Sequence, residues 1–398
     1  MNKDKKLAKA RKRPWLVRFA AVTYGIYLKK RYKLKLKNKE LLDQVPGSCI
    51  IMANHCHIID PCLISTLIPF HIRWVTGAYL FKLKFVSFVL DKGVKCISKQ
   101  QGRSDLSTIM NIKKALKAGN CVGLFPEGNR TWDGDFLPLK LLTTAKMIRM
   151  FKVPVVFLNL EGAYAKKPRW ASFPRKGGVT VNISSILFPE DYKDLPIEKL
   201  HETINSRLYF SHDTWEEENK IEFPSRNNVA GLQRILYLCP KCGSIDSMDT
   251  TGKKAVCKNC KTETSMDNFL RIKSSNHKFT KVSEWRKWEI NQLKKIESFP
   301  IEKGILFQTL EGRKLKTLSK DFKISLKDGA IIISYKDKKF VLDFEKMNSL
   351  ILNSKQTIEL YHNNIQYRIR LLPDGCSIKY FDYFKNYQTT KKEKINEL

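Results

Sequence analysis

The sequence is poor in acid: 39 Asp and Glu stand against 73 Lys and Arg, a formal net charge of +34 over 398 residues. That imbalance predicts attraction to polyanions, either nucleic acid or an anionic leaflet, and charge alone does not choose between them. A bilayer-spanning run is also missing. About 20 apolar residues are needed to cross, whereas the longest candidate, Pro14 to Leu28, is interrupted by Arg18. No small-residue cleavage site follows it, which argues against a secretory signal. A disulfide framework is missing too. Five of the ten cysteines lie singly in the first 125 residues, four form a metal-spaced set and Cys376 stands alone, a pattern that suits a reducing, cytosolic compartment. There is no repeat of solenoid length.

The hydrophobic fraction of 42% and charged fraction of 28% suit a folded, soluble or peripheral protein. The length points to two or three domains. Fifteen of the first forty residues are Lys or Arg, against only Asp4 and Glu40. Between the basic runs, Trp15, Phe19, Val22 and Ile26 recur at helical spacing. This predicts an interfacial helix with basic flanks; the alternative is a helix packed on the domain.

From Ser48 to about Leu187, Cys49–Ala53, Arg73–Thr76, Cys121–Phe125, Val153–Leu160 and Val179–Ile183 read as strands. Asp105–Ala118, with Ser104 as candidate N-cap, and Lys140–Phe151 read as helices. The alternation predicts an α/β domain with an at least partly parallel central sheet flanked by helices. Val282–Ile296 reads as a charged amphipathic helix. Phe322–Leu326, Ala330–Tyr335, Lys339–Phe344, Thr357–Tyr361 and Ile365–Leu371 read as successive hairpin strands, closed by a helix over Ser377–Tyr387. That last pattern resembles the pleckstrin-homology superfold. The expected division is a basic segment over 1–40, an α/β domain over 41–232, a cysteine-bearing ribbon over 233–270, a helical linker over 271–300 and a small all-β domain over 301–398.

Two motifs carry chemistry. In Asn54-His55-Cys56-His57-Ile58-Ile59-Asp60, an imidazole follows an apolar strand with a carboxylate five positions on. On one continuous helix the two would face roughly 140° apart. They meet only if His55 lies in a turn and Asp60 opens the next helix, and Asp60-Pro61 is a favoured N-cap and N1 pair. His55 is then a candidate general base and Asp60 its orienter. In Phe125-Pro126-Glu127-Gly128-Asn129-Arg130, Gly128 permits a tight turn and Arg130 grips a phosphate bidentately.

In this order and spacing the motifs resemble those of the phospholipid and glycerol acyltransferase family. The resemblance covers roughly residues 45–185. It implies that His55, next to Asn54, deprotonates the acceptor hydroxyl for direct attack on a thioester, without a covalent acyl-enzyme. It implies that Asp60 sets the imidazole tautomer, that Asn54 is a substrate-binding residue and that Glu127, Gly128 and Arg130 shape the acceptor-phosphate site. The family's second motif stands in altered form as Gly93 to Lys99, with Lys99 where Arg is usual, so the phosphate contact falls to Lys99 or Arg103. His57 stands where Ser is frequent; it is read as a neighbour rather than a second base. Gly162-Ala163-Tyr164 and Pro168-Arg169-Trp170 are similar to a bacterial subgroup that carries a cysteine cluster after the catalytic domain.

That cluster is Cys239-Pro240-Lys241-Cys242 and Cys257-Lys258-Asn259-Cys260, whose spacing predicts a four-thiolate structural Zn²⁺ ribbon. The expectation is a membrane-associated enzyme on the cytoplasmic face. It would move a fatty acyl group from acyl-CoA or acyl-carrier protein to a lysophospholipid, with lysophosphatidic acid as default acceptor. The competing expectation is a non-catalytic module that binds lipid, nucleic acid or protein through the ribbon and basic surface. Nucleic acid is disfavoured, since the ribbon lacks interleaved aromatic and basic residues.

Overall fold

The computed structural model describes residues 11–82, 84–99, 106–311 and 314–396. The chain divides into two compact units, one built from residues up to Arg169 plus Arg175–Phe223, the other from Trp170–Pro174 plus Pro224 to the end. Among the described residues no helix is long and apolar enough to cross a membrane.

The first unit is mixed α/β. Two helices open it, α1 (Trp15–Val22) and α2 (Tyr24–Tyr32). Then come β1 (Lys35–Lys37), β2 (Ile50–Ala53), α3 (Asp60–Leu67), β3 (Ile72–Gly77), β4 (Ile97–Lys99), α4 (Leu106–Lys117), β5 (Cys121–Leu124), α5 (Thr143–Phe151), β6 (Val155–Glu161), β7 (Thr180–Leu187), α6 (Ile197–Leu208) and α7 (His212–Asn219). The seven strands form one sheet in the order β1-β7-β6-β2-β5-β3-β4. Every pair is parallel except β6 with β7. Ile50 and Met52 of β2, Val122 and Leu124 of β5, and Val155 and Phe157 of β6 alternate onto one face. There they pack against Ile112 and Leu116 of α4, Ile148 of α5 and Leu200, Ile204 and Leu208 of α6. Burial of β2 on both faces is what a central parallel strand requires.

Two expectations need correction here. The segment 14–28 is not one helix: it breaks at Thr23, whose hydroxyl and amide both bond back to Phe19 O. A β-branched residue bonding to the carbonyl four back, with Gly25 close behind, weakens helical continuity there. The apolar face nonetheless stays free of the domain: Trp15, Phe19, Val22 and Ile26 are exposed, Trp15 at 77%, while Gly25 and Leu28 are buried. Asp60 is also not an N-cap. It is the first helical residue, Ile59 occupies the cap position, and the Asp60 carboxylate turns back onto the preceding loop. Ser104, the candidate cap of α4, lies outside the described residues.

The second unit begins with a four-stranded antiparallel sheet, β8 (Met248–Asp249), β9 (Ala255–Cys257), β10 (Glu263–Met266) and β11 (Ile272–Lys273). After α8 (Val282–Gln292), eight strands form an all-β sheet. These are β12 (Glu302–Glu311), β13 (Lys314–Ser319), β14 (Phe322–Lys327), β15 (Ala330–Tyr335), β16 (Lys338–Asp343), β17 (Met347–Leu352), β18 (Thr357–His362) and β19 (Ile365–Leu371). A closing helix, α9 (Ile378–Asn396), runs past the expected end at Tyr387.

These parts share buried polar bonds. Arg286 of α8 pairs with Asp382 of α9 at 2.7 Å and Glu289 at 3.3 Å, and Tyr237 donates to Asp382 at 3.2 Å. Lys379, fully buried, pairs with Glu302 at 2.9 Å and with Asp246. Buried charges persist only when paired and hydrogen-bonded. The partners here come from the cysteine-bearing segment, the linker helix and the β sheet together.

Candidate functional site

Parallel strands deliver their following loops to one edge of the sheet, where such folds place ligands. The loop after β2 carries His55, the loop after β5 carries Phe125 to Arg130, and β4 ends at Lys99.

His55 Nδ1 lies 2.8 Å from Asp60 Oδ2. The same oxygen accepts the backbone N–H groups of Cys56 and His57, each at 2.7 Å. The carboxylate thus fixes both the loop and the ring, and Nδ1–H toward Asp60 leaves the Nε2 lone pair as the basic position. Burial lowers the His55 pKa below its ordinary 6.5; Asp60 opposes the shift, and Arg130 and Arg169 reinforce it. The imidazole is therefore neutral near pH 7, as a general base must be.

The ring is held from the side as well. His55 stacks on Phe125 at 4.1 Å, and Phe125 stacks on Trp74 at 5.1 Å. Trp74 Nε1 donates to Ser65 Oγ at 2.9 Å. Room for the indole comes from Gly123, its cross-strand partner in β5: a Cβ there would stand 2.5 Å from the Trp74 ring.

The two motifs are joined through Glu127. Its Oε1 accepts the N–H of His55 at 2.8 Å and its Oε2 the N–H of Leu137 at 3.0 Å. Burial pushes this carboxyl up to about 8, against the pull of those amides. Thr131 N–H donates to His55 O at 2.8 Å, closing a second link. Gly128 is exposed, has φ +71° and donates its N–H to Phe125 O at 3.1 Å, so the left-handed turn is what demands glycine. Asn54 is buried; its Oδ1 accepts Leu160 N–H at 2.8 Å and ties β2 to β6.

His57 carries no sign of a second base. Its Nδ1 accepts Ile59 N–H at 3.3 Å, and burial lowers it to about 4. Cys56 is buried and burial raises its thiol well above the ordinary range, unlike an activated nucleophile. Lys99 is exposed at the end of β4. Arg103 lies outside the described residues.

Arg169 is the residue that motif reading passed over. It is buried, lies over the Trp132 ring at 4.3 Å and donates to Arg130 O at 3.3 Å. Its one sequence signal was its place in Pro168-Arg169-Trp170.

In the second unit, one ligand atom from each of Cys239, Cys242, Cys257 and Cys260 lies within 4.8 Å of the others. Cys239 and Cys260 Sγ are 3.6 Å apart, Cys242 and Cys257 Sγ 3.8 Å. Hydroxyls of Ser244, Ser247 and Thr262 sit 3.0, 3.2 and 3.1 Å from Cys242, Cys257 and Cys260. Burial opposes the Cys257 thiolate, but the Cys260 amide and the two serine hydroxyls outweigh it and bring the group to about 5.

Residues 33–159 match the family model described as Acyltransferase. The chain is 26% identical over 212 residues to the 1-acyl-sn-glycerol-3-phosphate acyltransferase of Bacillus subtilis (strain 168), covering 52% of this chain and 99% of that protein. It is 26% identical over 173 residues to 1-acyl-sn-glycerol-3-phosphate acyltransferase beta of Homo sapiens, covering 42% of this chain and 59% of that one. Among solved structures it matches the 1-acyl-sn-glycerophosphate (LPA) acyltransferase PlsC from Thermotoga maritima, with a TM-score of 0.41 and 19% identity, over 51% of this chain and 83% of that chain.

Proposed function

Since this chain belongs to the acyltransferase family through residues 33–159, we propose that it transfers a fatty acyl group from a thioester, acyl-CoA or acyl-carrier protein, to the free hydroxyl of lysophosphatidic acid. The observation that carries the mechanism is the 2.8 Å bond between His55 Nδ1 and Asp60 Oδ2. His55 Nε2 takes the acceptor hydroxyl's proton as that oxygen attacks the thioester carbonyl. The C–S bond then breaks, and the imidazolium returns the proton to the thiolate leaving group. Asp60 stabilises the transient cation. Cys56, buried beside Asn54, takes no part.

Arg130 and Lys99 supply charge for the acceptor phosphate, with Arg103 as a further candidate; Gly128 holds the turn that presents Arg130. Guanidinium is preferred because its fork matches phosphate geometry. Arg169 adds positive potential behind Arg130. The acceptor class is supported by the activity for which the relatives from Bacillus subtilis and Homo sapiens are named.

Membrane attachment is peripheral in this reading. The exposed Trp15, Phe19, Val22 and Ile26 enter the headgroup boundary, and Arg18, Lys29, Lys30 and Arg31 meet anionic lipid on the cytoplasmic leaflet. The four cysteines hold a structural Zn²⁺ as a ribbon. Tetrahedral coordination with bonds of about 2.3 Å places sulfurs about 3.8 Å apart, which the 3.6 and 3.8 Å pairs match. The ion supplies folding energy and no catalysis, since all four ligand places are filled by protein. The β sheet closed by α9 is read as pleckstrin-homology-like.

The test is acyl transfer to lysophosphatidic acid by purified protein with each donor, beside His55→Ala. The expected loss is about 10²- to 10⁴-fold. A His55→Ala preparation that keeps its rate overturns the assignment, and absence of product with both donors favours the binding-module reading.

A further inference from the structure

The outer face of the C-terminal sheet carries an unusual row. In β12, β14, β15 and β16 the register places Lys303 opposite Lys323, Lys323 opposite Ser334, and Ser334 opposite Lys339. Cross-strand partners share a face, so three lysines form one line across four strands. All three are exposed, and among the described residues none makes a hydrogen bond or ion pair through its side chain. Like charges directly opposite one another weaken strand pairing, so Lys303 against Lys323 costs the fold stability with no internal return. Acidic side chains stand at the margins, Asp321 ahead of β14 and Asp343 at the end of β16.

The neighbouring row on the same face is aliphatic. Ser325 lies opposite Ile332, and Ile332 opposite Val341, which is 45% exposed. Ile301, just before β12 and two residues from Lys303, is 69% exposed. The nearby aromatic rings, Tyr335 and Phe340, turn to the opposite face and pack on Phe307.

We infer that this face is a docking surface for an anionic lipid bilayer. Lys303, Lys323 and Lys339 meet lipid phosphates, and Ile301, Ile332 and Val341 press into the boundary beneath them. Ammonium groups beside aliphatic side chains fit headgroups above acyl chains. A single-stranded nucleic acid is the poorer fit, because it is gripped by basic residues interleaved with stacking rings, and this face presents none. The surface lies in the second unit, whereas the proposed acyl-transfer residues and the N-terminal helices belong to the first.

The test is sedimentation of the full chain with phosphatidylcholine vesicles containing about 30 mol% phosphatidylserine, at about 0.1 M salt, where the Debye length is ~10 Å. The triple variant Lys303→Gln/Lys323→Gln/Lys339→Gln is compared with Lys258→Gln/Lys278→Gln/Lys295→Gln, an equal loss of exposed charge elsewhere in the same unit. The face variant should bind about 10- to 100-fold more weakly and melt no lower than wild type, since it relieves repulsion. The control triple should lose several-fold less. Val341→Asp should weaken vesicle binding even where salt has screened the lysines. Equal losses in both triples would make the effect net charge alone and overturn the proposal, as would face-dependent binding to a single-stranded oligonucleotide without vesicle binding. Wild-type turnover in neutral detergent micelles is assayed separately: its absence counts against acyl transfer, whereas loss of face dependence counts against this surface.

Discussion

Glu127 accepts the backbone N–H of His55 at 2.8 Å, so the carboxylate of one motif holds the histidine of the other in place. Its second oxygen holds Leu137. Glu127→Gln keeps one acceptor oxygen and turns an NH₂ group toward an N–H. It should cost about 1–3 kcal/mol of stability and lower kcat, because the His55 loop loosens. If Glu127 instead contacts the acceptor, the variant will raise KM with an unchanged denaturant midpoint. Paired unfolding curves and steady-state kinetics separate the two.

The acid limb of kcat/KM should lie below pH 6.5, the ordinary imidazole value, because burial depresses His55. Two variants should move it in opposite directions. Asp60→Asn removes a charge that favours the imidazolium, so the limb should shift to lower pH, with a rate loss of about 10²- to 10⁴-fold. Arg169→Gln removes a charge that disfavours it, so the limb should shift to higher pH. A pH–rate profile that Arg169→Gln leaves unmoved would remove Arg169 from the site's electrostatics.

The His55–Asp60 pair was legible because a five-residue offset lets the two meet only if a turn precedes the helix, although the Asp-Pro step was misassigned as N-cap and N1. The proximity of the four cysteines was legible because two CxxC pairs at that spacing can bring their thiols together. The aromatic stack under His55 was not. It depends on the register that sets Trp74 against Gly123 across β3 and β5, and register between distant strands leaves no local signature. Arg169 was missed for the same reason, since its partners Trp132 and Arg130 are distant in sequence. Strands β12, β13 and β17 escaped notice where Lys, Thr and Asn dilute the alternation, and α9 runs on through a polar stretch without apolar periodicity.

Gly123→Ala tests that stack. The new Cβ would stand 2.5 Å from the Trp74 ring and 2.8 Å from Ile72, so the indole must move and Phe125 with it. Overpacking of this kind costs about 1–3 kcal/mol. The expected signature is a tenfold or greater fall in kcat, with altered tryptophan fluorescence, although residue 123 is buried within β5. A variant with normal fluorescence and full rate would show that the stack does not position His55.

His212 should make the first unit acid-sensitive. Its ring is buried between Tyr164 and Trp215, and neither nitrogen has a hydrogen-bond partner among the described residues. Burial, with Arg175 adding to it, lowers the group to about 3 from 6.5. The folded state therefore binds fewer protons than the unfolded one. The stability at stake is intact above pH 6.5 and is lost as pH falls from 6.5 toward 3, reaching about 2 kcal/mol at pH 5. His212→Phe keeps the ring contacts, so it should be near neutral at pH 7 and clearly stabilising at pH 5. Melting temperatures across that range that stay parallel for the two proteins would reject the assignment.

Lys379 joins the four-cysteine segment to the β sheet. It is fully buried and pairs with Glu302 of β12 and with Asp246, which lies in the loop between Cys242 and Cys257. Those carboxylates raise its pKa against the depressing effect of burial. Lys379→Met strands two acids around an apolar chain, and breaking a buried pair from one side costs about 3–5 kcal/mol. Because Asp246 is anchored by this pair, the loop between the two CxxC knuckles should loosen as well, and a coloured chelator should strip bound zinc faster than from wild type. Adding Asp246→Asn and Glu302→Gln removes the stranded charges and should recover much of the stability, since an apolar or neutral replacement of a whole buried ion cluster is often tolerated. Zinc release should stay fast in that triple variant, because the anchor is still missing. Release at the wild-type rate in both variants would mean that the ribbon holds its metal independently of the sheet.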